Sequence, residues 1–308
     1  MRKLLAAFGL LLLWPTALVA QPVHALKITV LSTMLSDDNI GEWGYAALVE
    51  VDGKRILFDT GARPDTVLNN ARELHIDLST VEDVVLSHNH DDHTGGLLTL
   101  RNAMRATNPL AFSRVHVAAH FFDPWKGKQP PIFDDRATYE ASGGRFIVHD
   151  KPDELEPGVW LTGPVPRHTD EHNYGADIVA EGAPAPDVPE DQSLVVETTD
   201  GPVILTGCGH AGIVNIIDDA EKITHATKIL AIVGGLHLYE ADEARLAWTA
   251  AAFEKAGVRY LLAGHCTGIE ATMRLRALAH LTRATAAYGG VASGFTLGKG
   301  IDPGEIGG

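Results

Sequence analysis

Cysteine is nearly absent from this chain, with two in 308 residues, Cys208 and Cys266, so at most one disulfide can form. Other things are missing as well. No repeat of 20–50 residues is visible, which excludes solenoids and propellers. Low-complexity sequence is limited to Gly182-Ala183-Pro184-Ala185-Pro186, a surface-loop composition. Beyond the first residues no apolar run approaches the ~20 needed to span a bilayer. Basic residues are few, 25 Lys and Arg against 40 Asp and Glu, and a surface with that balance repels nucleic acid and anionic lipid. With 45% hydrophobic residues the chain can bury the core of a single large α/β unit.

What is present begins with Met1-Arg2-Lys3 and the short apolar run Leu4–Trp14, the composition of a secretory signal with a junction after Ala20 or Ala25. The expected organisation is a leader over 1–25 and one domain over 26–308, in a periplasmic or secreted protein without a stable membrane anchor. No cysteine stands at the junction to accept a lipid. Losing Arg2 and Lys3 with the leader leaves 23 basic against 40 acidic residues, a formal charge of −17.

The most informative segment is His88-Asn89-His90-Asp91-Asp92-His93, three imidazoles and two carboxylates in one turn. The apolar, β-branched run 81–87 predicts a buried strand that delivers this turn at its carboxyl end. Side chains on extended backbone repeat every two residues, so His88 and His90 can face one ion while Asp92 and His93 face a second. Imidazole and carboxylate together favour zinc or a similar first-row divalent ion. We expect two such ions, zinc first, with manganese or ferrous iron as alternatives.

Ser87–Gly96 resembles the signature loop of the metallo-β-lactamase-fold superfamily of metal-dependent hydrolases. Upstream, Lys54–Gly61 is similar to the strand and Asp-Thr-Gly turn that precede that loop. Downstream, Leu205–Gly212, Val233–Leu238 and Ala263–Gly268 follow in the order of one branch, named after 7,8-dihydropterin-6-methyl-4-(ribofuranosyl)aminobenzene phosphate synthase. The similarity covers roughly residues 27–270. It implies an α/β fold, a four-layer αββα sandwich, with which the element order agrees. Strands are expected at 26–32, 45–51, 54–58, 81–87, 114–119, 193–198, 203–206, 229–233 and 260–263. Helices are expected at 64–74, 95–106, 212–223, 241–256 and 269–281.

The chain holds 15 histidines, more than two ions can use. His210 and His265 end strands at the expected rim and are read as ligands with His88, His90, Asp92 and His93. Cys208 joins them as a candidate thiolate, although a bridge to Cys266 is equally open. His237 is placed as a proton donor or a group behind the ligands. His120 is a candidate for the pocket wall, and His75, His225 and His280 are expected in solvent. Three departures from the resembling family stand out. The stretch 187–193 lacks a histidine found in most of the superfamily, leaving Asp191 or His210 to replace it, the superfamily's bridging aspartate is replaced at the Gly207-Cys208 position, and Glu42-Trp43-Gly44 stands where the branch often has a histidine.

The chemistry implied is a metal-activated water, whose pKa falls from about 15.7 toward about 7, with Asp92 moving its proton and His237 protonating the leaving group. Ester, lactone, amide and phosphoester substrates all fit, and the aromatic stretch 121–145 is expected to cover the cleft. A synthase acting on a phosphorylated pterin-type substrate and a non-catalytic metal or ligand carrier are the rival readings.

Overall fold

The computed structural model describes residues 22–123, 131–169, 171 and 188–307. In chain order the first half comprises β1 (Leu26–Ser32), β2 (Ala46–Val51), β3 (Lys54–Phe58), α1 (Thr66–Glu73), β4 (Asp83–Val85), α2 (Asp91–Thr94), α3 (Leu97–Met104), β5 (Arg114–Ala118), α4 (Ile132–Ala141) and β6 (Arg145–His149). The second comprises β7 (Asp153–Glu156), β8 (Val159–Leu161), β9 (Leu194–Val196), β10 (Val203–Thr206), α5 (Ile213–Thr224), β11 (Ala231–Gly234), α6 (Glu243–Lys255), β12 (Tyr260–Ala263), α7 (Ile269–Leu278) and β13 (Ala286–Tyr288). The chain then returns through β14 (Gly294–Thr296), β15 (Gly300–Asp302) and α8 (Gly304–Gly307).

One sheet has the order β15-β14-β1-β2-β3-β4-β5-β6 and the other β13-β12-β11-β10-β9-β8-β7. The strand period of two explains the layering. On β10, Val203 and Leu205 face the other sheet, joining Ile28, Val49 and Phe58 in the central core. Their neighbour Ile204 faces outward with Ile232 and Leu261, under Ile213, Ile216, Phe253 and Leu275 of the helices. Leu48, Leu57 and Val84 do the same beneath Val67, Leu97 and Leu100. Each such side chain contributes about 1.5–3 kcal/mol on burial, and the result is the expected four-layer sandwich.

Several elements differ from the sequence reading. The strand expected at 81–87 pairs only over β4, because Ser87 onward turns into the histidine loop, and α2 forms inside that loop. Strands β13 to β15 lie in short runs too brief to show a period, and β14 returns to pair with β1 across the first sheet. Val23 is fully buried in the central core, its N–H bonded to Glu197 O at 2.8 Å, so the packed unit begins ahead of the expected boundary at Leu26. Most of the expected leader, residues 1–21, lies outside the described residues.

The expected cover over 121–145 takes a different form. Residues 124–130, Trp125 and Pro130 among them, lie outside the described residues. Ile132–Ala141 is a helix, Phe121 is buried beneath it, and Phe122 and Phe133 pack on the same outer core. Phe122 and Phe133 are only partly buried there.

Candidate metal centre

Parallel pairing puts the site together. Strand β3 runs parallel to β4, and β10, β11 and β12 are mutually parallel, so their carboxyl ends lie on the same rim. The turn after β3 carries Asp59, that after β4 carries residues 87–93, that after β10 carries Cys208 and His210, and those after β11 and β12 carry His237 and His265. The loops close tightly: a side chain at Gly207 would strike Ser87 Oγ and Asp59 Oδ2.

The donor atoms form overlapping groups, each with its ligand atoms within 4.8 Å of one another: Asp92, His93, Cys208 and His265; His88, Cys208 and His210; His88, His90 and Asp92; and Cys208, His237 and Cys266. Cys208 is shared by three of them. Its Sγ lies 3.2 Å from His93 Nε2, and Asp92 Oδ2 lies 3.3 Å from His265 Nε2. The seven expected ligands are therefore brought together, and His237 stands beside them with its ring 4.4 Å from His210. Both cysteines are free thiols, which removes the disulfide alternative from this structure.

Of His210 and Asp191, the two residues left open for the missing histidine, His210 is the one that enters a donor group, with His88 and Cys208. The Asp191 carboxylate accepts from Ala211 N at 2.9 Å and so holds the loop that presents His210, without entering any donor group. Burial lifts Asp191 to about 6 and its neighbour Glu190 to about 7, and Glu190 accepts from Asn89 N at 3.2 Å within the histidine loop. His120 is exposed and paired with Asp123 at 2.7 Å, away from the donor groups, and His75, His225 and His280 are exposed as expected.

Asp59 is the functional residue that the sequence reading did not single out. Its backbone sits at φ 57°, a left-handed conformation uncommon for a side chain larger than glycine. From there Oδ1 accepts from Ser87 N at 2.7 Å, and Oδ2 from Ser87 Oγ at 2.8 Å and from His93 Nδ1 at 2.7 Å. The Ser87 hydroxyl has spent its one proton on Asp59, so it accepts from His88 Nδ1, 2.9 Å away. His88 thus carries its proton on Nδ1 and turns a bare Nε2 inward, while His93 is fixed in orientation by the proton its Nδ1 gives to Asp59. The His88 Nε2 is buried with no hydrogen-bond partner, the state of an atom built for a ligand. The only sequence signal was the Asp-Thr-Gly turn itself.

The charge states agree. Burial keeps His88 and His210 neutral well below the usual imidazole range and takes His90 to about 4. Burial works the same way on His93, but Asp92 and Asp59 outweigh it and raise this ring to about 9. His93 and His265 outweigh burial at Asp92 and hold that carboxyl well below the ordinary range. Imidazoles, a carboxylate and a buried thiol form a donor set suited to first-row divalent ions, with His93 and the thiol giving up protons to bind one.

Comparison with known proteins agrees with this geometry. The family profile described as Metallo-beta-lactamase superfamily matches residues 44–265, and the chain belongs to that superfamily. It is 31% identical over 265 residues to the 7,8-dihydropterin-6-methyl-4-(beta-D-ribofuranosyl)-aminobenzene-5'-phosphate synthase of Methanocaldococcus jannaschii, covering 81% of this chain and 90% of the relative. Among solved structures it is similar to Tm1679, described as a metal-dependent hydrolase of the beta-lactamase superfamily, with 30% identity, TM-score 0.63, and coverage of 82% of this chain and 92% of that one. The metallo-beta-lactamase fold protein YhfI from Bacillus subtilis shares the fold at 14% identity and TM-score 0.53, over 83% and 92% of the two chains.

Proposed function

We propose that this protein is an exported hydrolase that uses two divalent ions, zinc first, on an ester, lactone, amide or phosphoester of a small molecule. The observation that carries the reading is the shared Cys208: one thiol sits in three of the donor groups and would join two ions in a single binuclear centre. His88, His90 and His210 would hold one ion, and Asp92, His93 and His265 the other. Ions bound there supply Lewis acidity and a water that ionises near neutral pH. The chain's own residues do the rest. Asp92 is held ionised, so it would accept a hydrogen bond from the attacking water and orient it, and on this reading it relays the water's proton without keeping it. His237, partly exposed beside His210, is placed to give a proton to the leaving group.

The test is metal analysis of the purified protein with a panel of esters, lactones, amides and phosphoesters. His90→Ala is expected to lose most metal and activity while the fold survives, and Asp92→Asn to lower turnover by about two to four orders of magnitude with little effect on KM. Retained metal and turnover in both variants would overturn the assignment. The synthase reading is favoured by one specific observation, the name of the 31% identical relative. Product formation from a phosphorylated pterin-type substrate without net hydrolysis would select it.

Export is supported by the basic start and short apolar run. Val23 packs in the core, so a junction after Ala20 keeps the fold intact whereas one after Ala25 would strip it. Among the described residues no helix is long and apolar enough to cross a membrane. Amino-terminal sequencing of protein from the periplasm or medium is expected to start at Gln21, and an intact Met1 on cytosolic protein would refute export.

A further inference from the structure

We propose that Trp43 and Tyr239 form a binding corner for a planar, conjugated ring carried by the substrate, an inference that rests on the hydrolase reading above. Both side chains are large, apolar and about half exposed, at 49% and 48%. They come from opposite sheets, Trp43 from the loop before β2 and Tyr239 from the loop after β11, and meet at the metal centre. The Trp43 ring lies 5.1 Å from that of His265, and the Tyr239 ring 5.4 Å from that of His237. Their own centroids are 5.9 Å apart with planes at 84°.

That right angle matters. An edge-to-face pair leaves one broad ring face open and sets a second ring as a wall beside it, a geometry that receives a flat guest by stacking. A guest on Trp43 would hold its attached group next to His265 and His237, where the proposed water and proton donor act. An aliphatic chain would gain contact area there but no stacking.

The loops beneath the rings are fixed while the rings stay open. The buried Glu42 carboxylate accepts from Ser32 Oγ at 2.7 Å, Ala62 N at 2.9 Å, Arg63 N at 3.0 Å and Thr66 Oγ1 at 2.8 Å, tying the residue before Trp43 to the turn after β3. On the other side Tyr239 N donates to Cys266 O at 3.3 Å, and Gly268 lies so close that an added Cβ would sit 3.0 Å from the Tyr239 Cα. Rigid backbone under exposed rings is the arrangement of a preformed subsite, because little ordering entropy remains to be lost on binding.

The test compares 2-naphthoate with its saturated counterpart, decahydronaphthalene-2-carboxylate, by calorimetric titration of the zinc-loaded protein. The two share a carboxylate and similar size and differ in the flat ring. We expect 2-naphthoate to bind about three- to ten-fold tighter, the scale of one aromatic pair. Trp43→Ala and Tyr239→Ala should each reduce that preference, Trp43→Phe should keep it, and Trp248→Ala, an exposed tryptophan on α6, should leave it unchanged. Zinc content and far-UV dichroism on each variant separate ring loss from metal loss or unfolding. Equal affinity in the parent protein, or a preference that survives both alanine variants, would overturn the inference. Turnover in the substrate panel without a ring preference sinks this inference alone; a ring preference without turnover sinks the hydrolase reading and leaves the corner standing.

Discussion

The Asp59 carboxylate lies 2.7 Å from His93 Nδ1 and, through the Ser87 hydroxyl, also fixes His88, so one buried acid orients an imidazole on each side of the candidate binuclear centre. The shape is kept by a residue that holds no metal itself. Its strained backbone is maintained because Asp59 N also donates to Val85 O at 2.8 Å and the carboxylate is fully enclosed.

Replacing Asp59 by Asn keeps the size and tolerates the left-handed backbone, but one of its acceptor sites becomes a donor that faces a ring N–H. Metal affinity is expected to fall about 10–100-fold, the cost of losing an orienting partner behind a ligand. Competition with a chelator measures it, and unchanged affinity for both ions would remove Asp59 from this role.

Cys208 as a ligand predicts protection. In the metal-free protein an alkylating reagent should label Cys208 on local opening, and saturating zinc should block it. Mass spectrometry of the digested protein reads the site. Equal labelling with and without zinc would exclude thiolate ligation.

Loading with zinc should release protons unequally from the two sides. At pH 7 His88 and His90 are already neutral, whereas His93 is protonated up to about 9 and burial pushes the Cys208 thiol up. Titration in weak buffer is expected to release about two protons per chain, and about one in Cys208→Ser, with affinity falling as the solution is acidified. A release of zero, or the same release in both proteins, contradicts the charge states described.

A second buried network lies at the other end of the first sheet and predicts a pH effect on stability. Asp83 accepts from Arg114 Nε at 2.6 Å and His116 Nε2 at 2.9 Å, and His116 Nδ1 lies 3.0 Å from His149 Nε2. Burial would raise the Asp83 carboxyl, but these partners outweigh it and take it from 3.8 to about 2. A lowered folded value means the stabilisation is present in full above pH 3.8 and is lost as pH falls through about 2. Asp83→Asn should cost on the order of 1–2 kcal/mol at pH 7, with a smaller gap at pH 3. Urea denaturation at the two pH values tests it, and a gap that widens toward pH 3 would contradict the sign.

The sequence by itself determined the candidate ligands and the frame. A short apolar strand ending in His88-Asn89-His90-Asp91-Asp92-His93, and the later turns that hold Cys208, His210, His237 and His265, carry local chemistry that survives without neighbours. The layered α/β order was legible too, since strand and helix periods are local properties. Tertiary structure decided what depends on approach in space. That Cys208 is shared between the donor groups, that His210 joins them while Asp191 braces the loop, and that Trp43 and Tyr239 meet at a right angle are relations between turns separated by up to some two hundred residues. No periodicity encodes them, because they arise only where parallel strands deliver their carboxyl ends to one rim. The same holds for Asp59, a lone acid in the sequence whose three hydrogen bonds exist only once β3 and β4 lie side by side.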